Sequence, residues 1–285
     1  MLTRRRLLAL GPPAVLAAAC AQPTGTVLER ARRSGVLRIG ISGERPYAYV
    51  DGSGRVTGAQ PEVARAVLAR LGIGGLSAVQ VRFADLVPGL RDGQFDMIAA
   101  GMTVTPERCG LVAFSRPDFV AAPAFLVPEG NPRGIGTFQG VGRAGVVLAV
   151  LDGSAELGYA LDAEIPPERL TVVDDQRTLF RAVVDGRAQA GALTAVSLRA
   201  ELRRNPGTGV EVTRPVAPTV EGRPIVPAAA FAVRFGEGDL LRAFDPELTA
   251  LQESGEWARL TEPFGLDEDN LPDPGLTTGA LCSSG

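Results

Sequence analysis

The sequence predicts an α/β protein built as two lobes joined by two crossings. Between residues 36 and 126, short apolar runs of strand character alternate with helical stretches, and a second series with the same rhythm fills roughly 130–226. Two extended apolar stretches, "APAFLV" (122–127) and "AAAFAVR" (228–234), lie between the series. Alternation of strand and helix implies a mostly parallel sheet covered by helices. Two crossings between two such sheets make a paired-strand hinge.

The elements follow in order. Residues 21–35 form a polar linker whose end, "TVLERARRSG", reads as a short helix feeding the strand "VLRIGIS" (36–42). A turn at "DGSG" (51–54) leads to a helix from Pro61 to Leu71, with proline in the first turn where its missing N–H is harmless. The strand "AVQVRF" ends at Phe83; a short helix at Leu86–Arg91 and the apolar strand "FDMIAAG" close the first series. In the second, a glycine-rich loop precedes the strand "GVVLAVL"; then come a helix from Ser154, the strand "RLTVV", the helix "TLFRAVVDG", the strand "AQAGAL" and the helix "AVSLRAELRR". The chain returns through "AAAFAVR" and ends in helices at 238–253 and around Trp257. This divides it into lobe 1 (36–126 plus 229–270), lobe 2 (127–228) and a C-terminal tail (271–285).

Composition excludes several functions. A net charge of −3 gives no electrostatic footprint for nucleic acid. The chain has no histidine, and all its basic side chains are arginine, so no Ser/His/Asp or Cys/His nucleophile and no histidine-bearing zinc site can be built. "GVGRAG" (140–145) matches G-x-G-x-x-G, but it precedes a strand where a dinucleotide loop follows one, so no nucleotide is expected. No cofactor or metal is expected, nor an enzymatic activity.

The first twenty residues, "MLTRRRLLALGPPAVLAAAC", read as an export signal: three arginines, then an apolar run from Leu7 to Ala19 too short to span a bilayer. Thr3-Arg4-Arg5 has a twin-arginine look, and "LAAAC" resembles a lipoprotein cleavage site that would leave Cys20 as a lipidated first residue; plain cleavage after Ala19 is the alternative. Export leaves Cys109 and Cys282 in an oxidising compartment, where an even pair suggests one disulfide stapling the tail onto the body. Two inert buried thiols are the alternative.

Two motifs point to ligand chemistry. "LDGSAELGYA" (151–160) ends a strand at Asp152-Gly153 and lets Ser154 cap the next helix, whose free N–H groups then face the sheet edge. "GMTVTPERCG" (101–110) sets Arg108 behind a threonine-rich turn. Together they look like a carboxylate clamp, with a planar bidentate guanidinium from one lobe and a helix start from the other.

The stretches "GVLRIGISGERPYAYVDGSGRVTGAQPEVARAVLARLG", "LVPGLRDGQFDMIAAGMTVTPERC", "FSRPDF" and "LRAFDPELTALQESGEWARLTEPFGL" resemble the family-3 extracytoplasmic solute-binding proteins of ABC importers, across roughly 30–270. Within that family "PEVARAVL", "DMIAAGM", "ERC", "GSAELGYALDAEIP" and "EPFG" are similar to the ectoine/hydroxyectoine binders. The resemblance implies the type II periplasmic-binding-protein fold, monomeric and extracytoplasmic, closing over a small zwitterion that membrane permease subunits accept. It also implies that Glu44 meets a ring amidinium, with Tyr47 and Phe83 as aromatic walls. Amino-acid binders of the family carry an ammonium-neutralising aspartate where this chain has Thr194, which disfavours an α-amino acid. Thr103 stands where ectoine binders have an aromatic, and "GMT" is the spelling of amino-acid binders, which keeps a polar amino acid as the alternative. Exported cyclohexadienyl dehydratases share the fold; in that reading Arg108 anchors the substrate carboxylate and Glu44 is the general acid.

Overall fold

The computed structural model describes residues 25–220 and 222–283. The export segment and Cys20 lie outside the described residues. The first stretch of chain forms α1 (Val27–Ser34), β1 (Val36–Ile41), the hairpin of β2 (Tyr49–Val50) and β3 (Val56–Thr57), α2 (Ala59–Arg70), β4 (Gly75–Gln80), α3 (Leu86–Arg91), β5 (Met97–Ile98), α4 (Pro106–Cys109), β6 (Ala113–Phe114) and β7 (Phe119–Val120). The second forms β8 (Pro123–Pro128), α5 (Phe138–Ala144), β9 (Leu148–Leu151), α6 (Ala155–Asp162), β10 (Leu170–Val173), α7 (Gln176–Val184), β11 (Ala190–Thr194), α8 (Ala195–Arg204), β12 (Val210–Val212) and the hairpin of β13 (Thr219–Val220) with β14 (Arg223–Pro224). The return consists of β15 (Ala228–Ala229), β16 (Ala232–Val233), α9 (Gly238–Glu253), α10 (Glu256–Thr261) and α11 (Thr278–Cys282).

Two five-stranded sheets result, ordered β4-β1-β5-β16-β6 and β10-β9-β11-β8-β12. In each, the first three strands run parallel and the remaining pairings are antiparallel. Strands β9 and β11 are buried almost throughout, as strands covered on both faces must be. Helices α2, α9 and α10 cover the first sheet through Val63, Val67, Leu248, Leu251 and Trp257, all buried. Trp257 also donates its indole N–H to Asp118 at 2.7 Å, and Gln60 donates to the same carboxylate at 3.1 Å.

Three details differ from the sequence reading. The strand expected to end at Phe83 stops at Gln80, where its partner β1 also ends, and Phe83 opens a 3-10 turn. The glycine-rich stretch 140–145, expected as a loop, is mostly the second half of α5: Thr137 caps it by accepting from Gly140 N–H, Phe138 and Val141 anchor it in the core, and Gly145 ends it in the left-handed region. Residues 122–127 do not form the crossing, because β8 pairs with β11 inside the second sheet. The paired crossing is instead β7 against β15, with Thr103 bridged to Ala229 beside it.

Candidate ligand-binding site

Parallel sheets place loops and helix starts at the carboxyl ends of their strands, and open α/β sheets bind ligands there. In the first lobe, β1 runs into Glu44 and Tyr47, β4 into Phe83, and β5 into Gly101 and Thr103. In the second, β9, β10 and β11 run into the caps Ser154, Asp175 and Thr194, each accepting a hydrogen bond from the first turn of its helix. The two sets meet. Glu44, Tyr47, Phe83, Thr103, Ser154 and Thr194, all expected from sequence, line one small cavity of about 20 Å³. That is room for about one water, so a larger solute is admitted only when the lobes separate. Wider hollows of about 1040 Å³ beside Arg108 and about 360 Å³ beside Glu44 flank it.

Arg108 is held in α4, whose N-cap Thr105 accepts from the Arg108 N–H at 3.3 Å. Its side chain is 8% exposed and lies over the Phe83 ring, 5.5 Å from the centroid. The guanidinium donates to the Thr103 carbonyl at 2.6 Å and, across the cleft, to the Gly153 carbonyl at 2.7 Å. Burial lowers its pKa, opposed by the Glu156 carboxylate. Gly153 is required there: its φ is +69°, and a Cβ would stand 2.9 Å from the Ala84 backbone of the other lobe.

Glu44, 7% exposed, accepts from the Ser197 hydroxyl at 2.6 Å. Burial pushes its pKa up to about 8; the Ser197 bond opposes this and the field of Glu156 adds to it. Tyr47 stacks on Phe119 at 5.2 Å between centroids and shares a 2.6 Å hydrogen bond with the Thr194 hydroxyl. Beneath its ring Gly101, at φ +69°, leaves no space for a side chain: a Cβ would stand 2.7 Å from Tyr47 Cγ.

Three residues were missed from sequence. Glu156, 6% exposed, lines the same cavity, with its pKa pushed up to about 7 chiefly by burial; its own N–H, Arg108 and the Ser154 hydroxyl oppose that rise. Ser197 holds Glu44. Gln176 ties the lobes: it accepts from Arg45 N–H at 3.1 Å, donates to the Arg45 carbonyl at 2.7 Å, and donates to Ser197. All three stand in the first turn of a second-lobe helix, just after a cap. That position was the available signal, although a glutamate there is ordinarily read as a partner for the helix dipole.

Cys109 and Cys282 are bonded, joining α4 to α11 across 173 residues, and the Thr278 hydroxyl donates to the Ser115 carbonyl beside them. Among the described residues no cluster could hold a metal ion, and no helix is long and apolar enough to cross a membrane.

Comparison with known proteins shows the family and the fold. Residues 37–267 match the model of the bacterial extracellular solute-binding proteins, family 3. A probable amino-acid ABC transporter periplasmic-binding protein of Sinorhizobium fredii, y4tE, is 34% identical over 93% of this chain and 89% of its own. The crystal structure of EhuB in complex with hydroxyectoine superposes with a TM-score of 0.81 at 34% identity, covering 90% of this chain and 98% of that one. The cyclohexadienyl dehydratase of Pseudomonas aeruginosa is 27% identical over 71% of this chain and 75% of its own. The chain belongs to the family-3 bacterial extracellular solute-binding proteins of ABC importers.

Proposed function

We propose that this chain collects a small zwitterion of the ectoine or hydroxyectoine kind outside the cytoplasm and delivers it to an ABC permease, tethered through Cys20. One observation carries this. Among the described residues, the candidate cation partners on the first lobe's side of the cavity are Glu44 and two aromatics, while the second lobe has the neutral Thr194, hydrogen-bonded to Tyr47, at the position that the family resemblance gives to an aspartate in amino-acid binders. Arg108 and the Ser154 helix start offer donors to a carboxylate, and Glu44 with Tyr47 and Phe83 offers a cage to a delocalised cation. The ligand bridges the lobes and shifts an open ensemble toward the closed one by its differential affinity for it.

Two other readings have specific support. Glu156 is a second carboxylate on the second lobe, a counter-ion available to the ammonium of a polar amino acid. Glu44, with its pKa near 8, is a carboxyl group able to give up a proton at neutral pH, as a dehydratase acting on a cyclohexadienyl acid requires. Isothermal titration of ligand-stripped protein with ectoine, hydroxyectoine, glycine betaine, glutamine and arginine separates the first two. Micromolar or tighter binding of the ectoines alone supports the proposal; binding only of an amino acid overturns it. Turnover of prephenate or arogenate, followed by ultraviolet absorbance, would replace the carrier with a catalyst.

A further inference from the structure

The buried charges between the lobes do not balance. Arg108 brings one positive charge to it, and Glu44 and Glu156 bring two negative ones, all three at most 8% exposed. In the hollow outside Glu44 the charges cancel, Arg45, Arg177 and Arg204 standing against Asp174, Asp175 and Glu201, whereas the hollow beside Arg108 sets Arg91 against Asp92, Glu107 and Asp162 and so adds no positive charge to offset the pair of carboxylates. On the other flank, Tyr159 and Asp162 share α6 with Glu156, and Glu107 adjoins Arg108. Closing over a zwitterion adds no net charge, so both carboxylates ionised would leave an unpaired anion out of water, which costs several kcal/mol. A monocation would remove the imbalance. A proton would do the same.

We propose that closure over a zwitterion takes up one proton, which lodges on Glu156 and turns its carboxyl group into a hydrogen-bond donor to the ligand's carboxylate, beside Arg108. The choice between the two carboxyls follows from position. Glu44 sits among the aromatic walls on the first lobe, where the ligand's cation re-stabilises its anion. Glu156 stands two residues after the cap Ser154 and within the field of Arg108, where the ligand's carboxylate is expected and a second anion is repelled. Without ligand its carboxyl in the closed site already titrates near neutral pH, and an adjacent ligand carboxylate raises it further. In the open form both groups face water and titrate in the ordinary carboxyl range.

This inference rests on the site being a closing zwitterion site, but not on which zwitterion fills it. The open form releases the proton that the liganded form retains, so affinity is highest at low pH and falls as pH rises through the window between the two pKa values, by about tenfold per pH unit from pH 5 to 7. The test is calorimetric titration at pH 6 in phosphate and in Bis-Tris, whose ionisation heats differ. Ectoine and glutamine, whichever binds, should each take up about one proton, whereas arginine, carrying its own extra positive charge, should take up none. Failure of ectoine with success of glutamine sinks the ligand assignment and leaves the proton count to be read on glutamine. Uptake near zero for every zwitterion, or binding of arginine alone, overturns the proposal. Glu156→Gln should make the Kd independent of pH across that window and equalise the heats in the two buffers. Should that variant not bind, the parent protein decides: a Kd that weakens by about tenfold per pH unit from pH 5 to 7 supports the proposal, and a Kd flat across that window overturns it.

Discussion

The guanidinium of Arg108 closes the cleft onto the Gly153 carbonyl, and in the function proposed above it also meets the ligand's carboxylate, so on that reading replacing it removes a charge partner and a lobe contact together. Arg108→Ala should therefore weaken binding at least about 100-fold, in line with the roughly 3–5 kcal/mol lost when one partner of a buried pair is deleted. Far-UV circular dichroism should be unchanged, because the side chain is wedged between lobes and not within either core. Arg108→Lys should not restore binding, since a single ammonium cannot satisfy two carbonyls and a carboxylate in one plane. Unchanged affinity in either variant would remove this residue from the site.

Among the elements, α4 is the least self-sufficient. Four residues cannot stabilise a helix by their own hydrogen bonds, and α4 is held by the Thr105 cap, by Pro106 in its first turn and by the Cys109–Cys282 bond to α11. Cys109→Ser with Cys282→Ser should cost about 5 kcal/mol by loop-closure entropy, a fall in Tm of about 10 °C for a chain of this size, with weakened ligand affinity measured by titration. An unchanged Kd would show that α4 is positioned without the staple. This element also marks how far the sequence could be read. Arg108 and Cys109 were legible because each is a local signal, a charge behind a turn and one of an even cysteine pair, whereas the sequence shows the Thr105 cap and the short helix it starts only as a turn. Phe83 was legible as a residue but not as a turn, because the end of β4 is fixed by the length of its partner. Glu156, Ser197 and Gln176 were not legible as site residues. Their role depends on how three helix starts converge across a cleft, and no local pattern encodes that.

At the scale of the whole molecule, the two lobes are latched by direct bonds: Arg45 with Gln176, Tyr47 with Thr194, Glu44 with Ser197, Arg82 with Asp174, and Arg108 with Gly153. Such bonds exist only in the closed form, so they set the fraction of molecules that is closed before any ligand arrives. Gln176→Ala removes the pair of bonds to the Arg45 backbone. It should open the ligand-free ensemble, seen as a larger radius of gyration in small-angle scattering, and weaken binding by about tenfold, the effect of about one to two hydrogen bonds on the competent population. Ligand at saturation should bring the variant back to the compact dimensions. A variant whose scattering matches the parent with and without ligand would show that the latch does not govern closure.

The staple between α4 and α11 has a meaning for the life of the chain before it reaches its working place. A disulfide forms outside the reducing interior of the cell. If its loss loosens α4 as predicted, a newly made chain awaiting export is a poor binder, and it leaves the solute already gathered inside untouched. Competence would then arrive with oxidation, in the compartment where scavenging is useful. Protein prepared under reducing conditions and oxidised during titration should gain affinity as the bond closes.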